Sequence, residues 1–313
     1  MTKILAIVGP TASGKSALAM ALAKKLNGEV ISCDSMQVYR RMDIGTAKPT
    51  APEQSEVRHH LIDVAEPDES LSVADYVALA VEAIEDCAGR GKLPIVCGGT
   101  GLYLDALLRG NDLAPDTTDG RVRAELMEYA EKNGAEALWS ILRDIDPESA
   151  AVTHPNNVKR VARAIEIYRV SGITKTELDR RSREGGDRYD ACVIGLRYED
   201  REVLYDRINR RVDIMLSDGL VEETERLLAD GVFEKNFTAA QAIGYKELLP
   251  YCRGEVSLSD ASEALKMATR RYAKRQMTWF SAKSYVHFID VADTSKKTFE
   301  EIVNIAEKLF KKP

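Results

Sequence analysis

Near the start of the chain, Gly9-Pro10-Thr11-Ala12-Ser13-Gly14-Lys15-Ser16 satisfies the spacing G-x-x-x-x-G-K-[ST]. Glycines at these places let the backbone curl until its N–H groups converge on phosphate oxygens, at the positive end of a following helix. Lys15 adds a point charge for the terminal phosphate, and the Ser16 hydroxyl is a ligand for Mg²⁺. A glycine-rich structural turn is the competing reading, and the strand pattern before the run and helix pattern after it favour the phosphate loop. The motif specifies a polyphosphate without saying which one.

Phosphate loops of NTPases usually have a partner carboxylate at the end of a second apolar strand. Here the best such strand runs into Cys97-Gly98-Gly99-Thr100, with no acid. The acid nearest a strand end is Asp34, in Ser32-Cys33-Asp34-Ser35-Met36-Gln37. Residues just past strand C-termini face the ligand crevice of a parallel sheet. Asp34 is therefore expected beside the phosphates, as a metal ligand through water or as acceptor of a substrate proton, against the alternative of a turn or helix-capping aspartate.

The elements that must hold these groups alternate over the first hundred residues. Ile4–Val8, Val30–Cys33, Leu61–Val64 and Leu93–Cys97 read as strands, and Ala17–Leu26 and Ser72–Ala88 as helices. After Pro115 the alternation stops, and Arg121–Lys132, Glu136–Arg143 and Asn156–Val170 read as helices. Asp190–Leu196 and Val286–Val291 restore strand patterns. The expected fold is α/β, a P-loop NTPase-like parallel sheet with helices on both faces, plus a helical insertion. Residues 1–114 and 179–313 would form the catalytic core and residues 115–178 the insertion.

Composition bounds the partners. An apolar fraction of 44% and a charged fraction of 30% are those of a globular protein. No apolar run is long enough for a membrane span, and Ile4–Val8 is too short for a signal peptide. Five scattered cysteines without a C-x-x-C spacing disfavour structural zinc and a disulfide framework, which fits a reduced cytosol and a cytoplasmic protein. The net charge is −6, yet basic residues gather in Lys159–Arg183 and again in Lys266–Lys283, where no acid occurs. Local clustering of this kind can serve nucleic acid whatever the total charge, although solvated helix faces read the same way.

Taken in order, Gly9–Ser16, Asp34–Arg40, Asp43-Ile44-Gly45-Thr46-Ala47-Lys48-Pro49, His59-His60-Leu61-Ile62-Asp63, Gly98–Tyr103, His154–Asn157 leading to Arg160 and Arg163, Ala242–Lys246 and Lys274–Phe280 strongly resemble the tRNA dimethylallyltransferase (tRNA isopentenyltransferase) family. These blocks span nearly the whole chain. The zinc finger of eukaryotic members is missing, which implies the bacterial type. The resemblance implies that the loop grips the diphosphate of dimethylallyl diphosphate, with Mg²⁺ as cofactor. The acceptor would be the N6 amine of the adenosine 3′ to the anticodon, in the anticodon arm of tRNA, and the protein would be a monomer with no membrane partner.

By that resemblance Asp34, Thr100, Lys15 and Arg211 carry the chemistry, with Asp34 as base. Gly9, Pro10, Thr11, Ala12, Ser13, Gly14, Lys15, Ser16, Arg207 and Arg211 hold diphosphate. The two arginines lie four apart on one helix, where an ion-pairing surface with Glu202 or Asp206 is the plain alternative. RNA contacts are implied for Asp34, Ser35, Met36, Gln37, Thr100, Arg123, Lys159, Arg160, Val161, Ala162 and Arg163. They are implied again for Gln241, Ala242, Ile243, Gly244, Tyr245 and Lys246, and for Lys274, Arg275, Gln276, Met277, Thr278, Trp279, Phe280 and Ser281. Either Trp279 or Phe280 could stack on a base, with buried core the favoured fate of Trp279. Two rivals share parts of the pattern: an ATP-dependent phosphotransferase of the nucleoside-kinase kind, which would use the same loop and aspartate, and a non-catalytic RNA-binding protein with a nucleotide site.

Overall fold

Every residue of Ile4–Val8 is apolar, which suits a strand covered on both faces. In the computed structural model, which describes residues 1–109, 120–184, 186–291 and 298–312 without the side chains of 182–184 and 237, Lys3–Val8 is β1, in the middle of a six-stranded sheet. The other strands are β2 (Gly28–Cys33), β3 (His59–His60), β4 (Leu93–Gly98), β5 (Asp190–Arg197) and β6 (Val286–Asp290). Their order is β3-β2-β4-β1-β5-β6 and every pairing is parallel.

Alternation along β1 builds the layers. Leu5 and Ile7 pack with Leu18 and Leu22 of the helix Lys15–Leu26 and with Ile302, Val303 and Ala306 of the helix Phe299–Phe310. Ile4, Ala6 and Val8 are equally buried on the opposite face. There the helix Val73–Gly89 brings Tyr76 beside the Cys33 thiol. The chain leaves β1 toward β2 on one side and, after β4, crosses to β5 on the other. The crevice beyond the carboxyl ends of β1 and β4 is thus the switch point where ligands bind in such sheets. The loop Gly9–Ser16 follows β1, Asp34 follows β2, and Gly99-Thr100 follows β4.

One expected strand is absent. Leu61 and Asp63 take φ of 61° and 57°, left-handed values that no strand accommodates, so Leu61–Val64 is a bend and the short β3 precedes it. The remaining strands and helices lie where the periodicity puts them, with ends shifted by one or two residues. A further core within the same unit joins the helices Arg201–Ser217, Leu220–Ala229, Tyr245–Cys252 and Leu258–Ser281 around Val38, Tyr39, Met42, Tyr245 and Leu265.

The chain divides into two compact units. One comprises Met1–Leu71, Asp75–Asp105 and Tyr189–Pro313, and the other Ser72–Ala74 and Ala106–Arg188. The expected start of the insertion at residue 115 lies outside the described residues. Its expected end, Leu178, falls inside the helix Lys175–Glu184, and the second unit runs on to Arg188. Within that unit Leu126, Leu138, Leu142, Val161 and Ile165 close a small core between the helices Arg121–Asn133, Ala135–Ile145 and Val158–Ser171. Asp146 ties its shorter segments, accepting from the N–H groups of Ser149 at 3.1 Å and Thr176 at 2.9 Å.

Candidate active site

The loop after β1 turns through Ala12 (φ 61°) and Gly14 (φ 92°) into the helix Lys15–Leu26, whose first turn lacks a side-chain cap and so leaves backbone donors exposed to a ligand. Ser13 is 1% exposed and its Oγ has no partner, an orphaned polar atom of the kind a phosphate oxygen would satisfy. Not every amide of the loop is free for phosphate. The Thr11 N–H donates to Gln276 Oε1 at 2.9 Å, and that of Ser13 to the Pro10 carbonyl at 3.3 Å.

Lys15 folds back on the loop, donating to the Pro10 carbonyl at 3.1 Å. Its pKa is lowered, chiefly because its ammonium is withdrawn from water and next because Arg211 stands nearby, while Cys97 and Asp34 oppose the shift. Cys97, buried against Lys15 and bonded to the Ser16 hydroxyl, is pushed up to about 11, so its thiol stays neutral. Arg211 is also lowered by burial, against the attraction of Asp34. Lys15, Arg211 and Asp34 therefore form one electrostatic group at the carboxyl edge of the sheet. Asp34 anchors its own turn, Oδ1 accepting from the N–H of Met36 at 2.9 Å and of Gln37 at 3.4 Å. Its second oxygen is left for a ligand.

A cleft of about 710 Å³ opens on this group, and Thr11, Asp34, Arg211, Tyr272 and Arg275 are among its lining residues. Thr100 is not among the lining residues but bonds to two that are, Ser35 and Tyr272. The Thr100 Oγ1 accepts from the Ser35 N–H at 3.2 Å and shares a hydrogen bond with the Tyr272 phenol. Burial, and next the charge of Asp34, raise the Tyr272 pKa. The two arginines expected to act together separate. Arg211 enters the large cleft, whereas Arg207 donates from Nε to the Ala12 carbonyl at 2.9 Å and lines a smaller recess of about 380 Å³ beside Ser13 and Gly14.

Several expected RNA contacts have side chains that face inward. Gln276 is 5% exposed, and its Nε2 donates to the Gly99 carbonyl at 3.1 Å. A Cβ on Gly99 would lie 2.0 Å from that nitrogen, so a larger residue there would push the Gln276 amide off its bond. Tyr245, Ala242, Val161, Ala162 and Phe280 are buried in hydrophobic cores, where apolar area is worth more than a contact to solvated RNA. Gln37 is held by Ser32, Thr46 and Ala47. Trp279 departs from expectation the other way, being 38% exposed with the Lys283 ammonium 5.0 Å from its ring centre. Lys274, Arg275, Thr278 and Ser281 remain on the surface of the same helix, as do Gln241 and Lys246 in their segment. Ile243, Met277, Ser35 and Met36 are half-buried.

In the second unit Lys159 and Arg160 are exposed, and Arg123 and Arg163 both bind the fully buried Glu166, at 2.7 Å and 2.8 Å. The Arg183 side chain lies outside the described residues. Two site residues escaped the sequence reading in their roles, Tyr272 and Gln276. For Tyr272 the signal was a stripe at helical spacing, Ala264, Ala268, Tyr272 and Arg275, facing the cleft.

No helix among the described residues is long and apolar enough to cross a membrane. A family model described as IPP transferase matches residues 37–283. The curated tRNA dimethylallyltransferase of Acetivibrio thermocellus is 47% identical over 304 residues, covering 96% of each chain. That of Halalkalibacterium halodurans is 49% identical over 312 residues, covering 99% of this chain and 98% of its own. The crystal structure of the full-length tRNA isopentenylpyrophosphate transferase from Bacillus halodurans superposes with a TM-score of 0.72 at 46% identity, covering 99% of this chain and 97% of that one. A eukaryotic dimethylallyltransferase captured acting on tRNA gives a TM-score of 0.82 at 31% identity over 98% of this chain and 79% of that one. A phosphate loop, a carboxylate and an arginine converging at the switch point of a parallel sheet, together with near full-length identity of this order, place the chain in the IPP transferase family, that of the tRNA dimethylallyltransferases.

Proposed function

We propose that the protein transfers a dimethylallyl group from dimethylallyl diphosphate to the N6 amine of the adenosine 3′ to the anticodon in tRNA, releasing diphosphate. The observation that carries this reading is that Asp34 and Arg211 line the same cleft as the phosphate-loop residue Thr11, with Lys15 in electrostatic contact with both. Diphosphate would lie on the loop, against Lys15, Ser13 and the start of the helix Lys15–Leu26, with Arg211 offering a planar fork to two of its oxygens.

The N6 lone pair is delocalised into the adenine ring, so the amine is a poor nucleophile until its proton can leave. As the new N–C bond forms at the allylic carbon, the C–O bond to diphosphate breaks and its electrons go to the leaving oxygen. The amine proton passes to the free oxygen of Asp34. Lys15 and Arg211 meet the charge that grows on diphosphate. Thr100, its hydroxyl fixed between the Ser35 N–H and Tyr272, would orient the base beside Asp34.

Among the described residues no cluster of three or more His, Cys, Asp or Glu could hold a metal by itself. The Ser16 hydroxyl at the end of the phosphate loop would hold Mg²⁺ together with oxygens of the bound diphosphate. When bound, the ion would neutralise diphosphate charge. The five cysteines are free thiols, which fits a cytoplasmic enzyme.

The test is incubation with Mg²⁺, radiolabelled dimethylallyl diphosphate and unmodified tRNA. Label should enter RNA and disappear when the adenosine beside the anticodon is replaced. No incorporation by a preparation that binds ATP tightly would move the assignment to a phosphotransferase.

A further inference from the structure

In the sequence Glu223 reads as one of two acids in the first turn of the helix Leu220–Ala229, a place where carboxylates usually sit in water. It is instead 3% exposed. Its Oε2 accepts from the Asp43 N–H at 3.1 Å and the Ile44 N–H at 3.0 Å. Its Oε1 accepts from the Ile44 and Gly45 N–H groups at 3.0 Å each and from the Tyr245 hydroxyl at 2.6 Å. Three successive backbone amides thus form a concave nest around one carboxylate, with a phenol completing it.

That nest holds part of the cleft wall. Gly45, Thr46 and Ala47 line the cleft, and so do Gly244 and Lys246, the neighbours of Tyr245. The Tyr245 ring covers Gly45 so closely that a Cβ there would lie 2.5 Å from Cζ. At its other end the same stretch is held by Gln37, which follows the Asp34 turn and donates to the Thr46 and Ala47 carbonyls at 3.2 Å and 3.1 Å. The two wall segments are far apart in sequence, and Glu223 bonds to both.

We propose that Glu223 is a positioning residue for the acceptor: it sets the register between the Asp43–Ala47 wall and the Gln241–Lys246 segment, and so fixes where the adenine meets Asp34. The phosphate loop is held without it, because Arg207 and Gln276 bond to the loop directly. The inference rests on the transfer reaction proposed above.

Glu223→Gln keeps the size of the side chain and turns one of its two oxygens into a donor facing backbone donors. Tyr245→Phe keeps the ring on Gly45 and removes one bond. For each, KM would be measured for tRNA and for dimethylallyl diphosphate, with single-turnover rates normalised to active sites by burst titration. Glu223→Gln should raise the KM for tRNA or lower the single-turnover rate by about 10- to 100-fold, as expected for losing buried charge-assisted bonds. The KM for the donor should stay within about twofold, and Tyr245→Phe should show a smaller change with the same asymmetry. A loss confined to the fraction of active enzyme, or one shared equally by both substrates, would make Glu223 a plain stabiliser and overturn the proposal. If Glu223→Gln does not fold, Tyr245→Phe decides alone by the same asymmetry. Failure of the unmodified protein to transfer label at all would instead remove the reaction itself.

Discussion

The side-chain oxygen of Gln276 accepts a hydrogen bond from the backbone N–H of Thr11 at 2.9 Å, while its nitrogen donates to the Gly99 carbonyl at 3.1 Å. One buried amide thereby fixes the phosphate loop after β1 to the turn after β4, from the last part of the helix Leu258–Ser281.

Gln276→Ala removes both bonds and leaves a buried donor and acceptor without partners. Each such group costs about 1–3 kcal/mol, so stability should fall by roughly 2–6 kcal/mol in urea unfolding. Where the variant stays folded, the KM for dimethylallyl diphosphate should rise while that for tRNA changes less, because the loop is what loosens. An unchanged donor KM would limit Gln276 to a structural role.

Asp34 can be tested without disturbing its turn. In Asp34→Asn the side-chain oxygen still accepts from the Met36 N–H, now 2.9 Å from Oδ1, while the group that takes the proton is lost. Single-turnover transfer at saturating substrates should fall by about 10²–10⁴-fold, with RNA affinity within a few-fold of the original. A loss seen only in affinity would make Asp34 a positioning residue.

What could be read in advance followed from how local each feature is. Ile4–Val8, Val30–Cys33 and Leu93–Cys97 are short, mostly apolar runs followed directly by Gly9, Asp34 and Gly98, and Gly9–Ser16 is a contiguous motif, so both the sheet and the phosphate loop are legible from neighbouring residues. Leu61–Val64 misled because its composition suits a strand while Leu61 and Asp63 turn left-handed. Glu223 as a site residue, and the bridging role of Gln276, were illegible for a different reason. An acid in the first turn of a helix and a glutamine amid cations resemble solvated faces; the backbone partners of Glu223 lie 178–180 positions away and those of Gln276 lie 177 and 265 away. Only the fold shows that these polar groups point inward.

Arg160 is exposed on the helix Val158–Ser171, unlike its neighbours Val161 and Ala162. If it meets an RNA phosphate, Arg160→Ala should weaken binding to all tRNA substrates alike and reduce the slope of log K against log salt by about 1. The measurement is filter binding between low and moderate salt. An unchanged slope would take Arg160 out of the interface and leave it as a solvated side chain.

Glu29, at the start of β2 and 6% exposed, should govern part of the acid stability. The Arg90 guanidinium bonds both its oxygens and His60 adds a third bond, holding its pKa down at about 2 against an ordinary value of 4.5, while burial opposes them. A carboxylate whose folded pKa is depressed stabilises the protein fully above its unfolded pKa, and that contribution drains away as pH falls through the folded value. The window here runs from about 4.5 down to about 2. At neutral pH the difference corresponds to at most roughly 3 kcal/mol. Glu29→Gln should therefore lower stability at pH 7 by up to that amount. Urea midpoints of the two proteins should converge as the pH drops below 4.5 and nearly meet at about 2, where the native carboxyl is half protonated. A gap that stays constant across this range would show that packing of Glu29, and not its charge, is what matters.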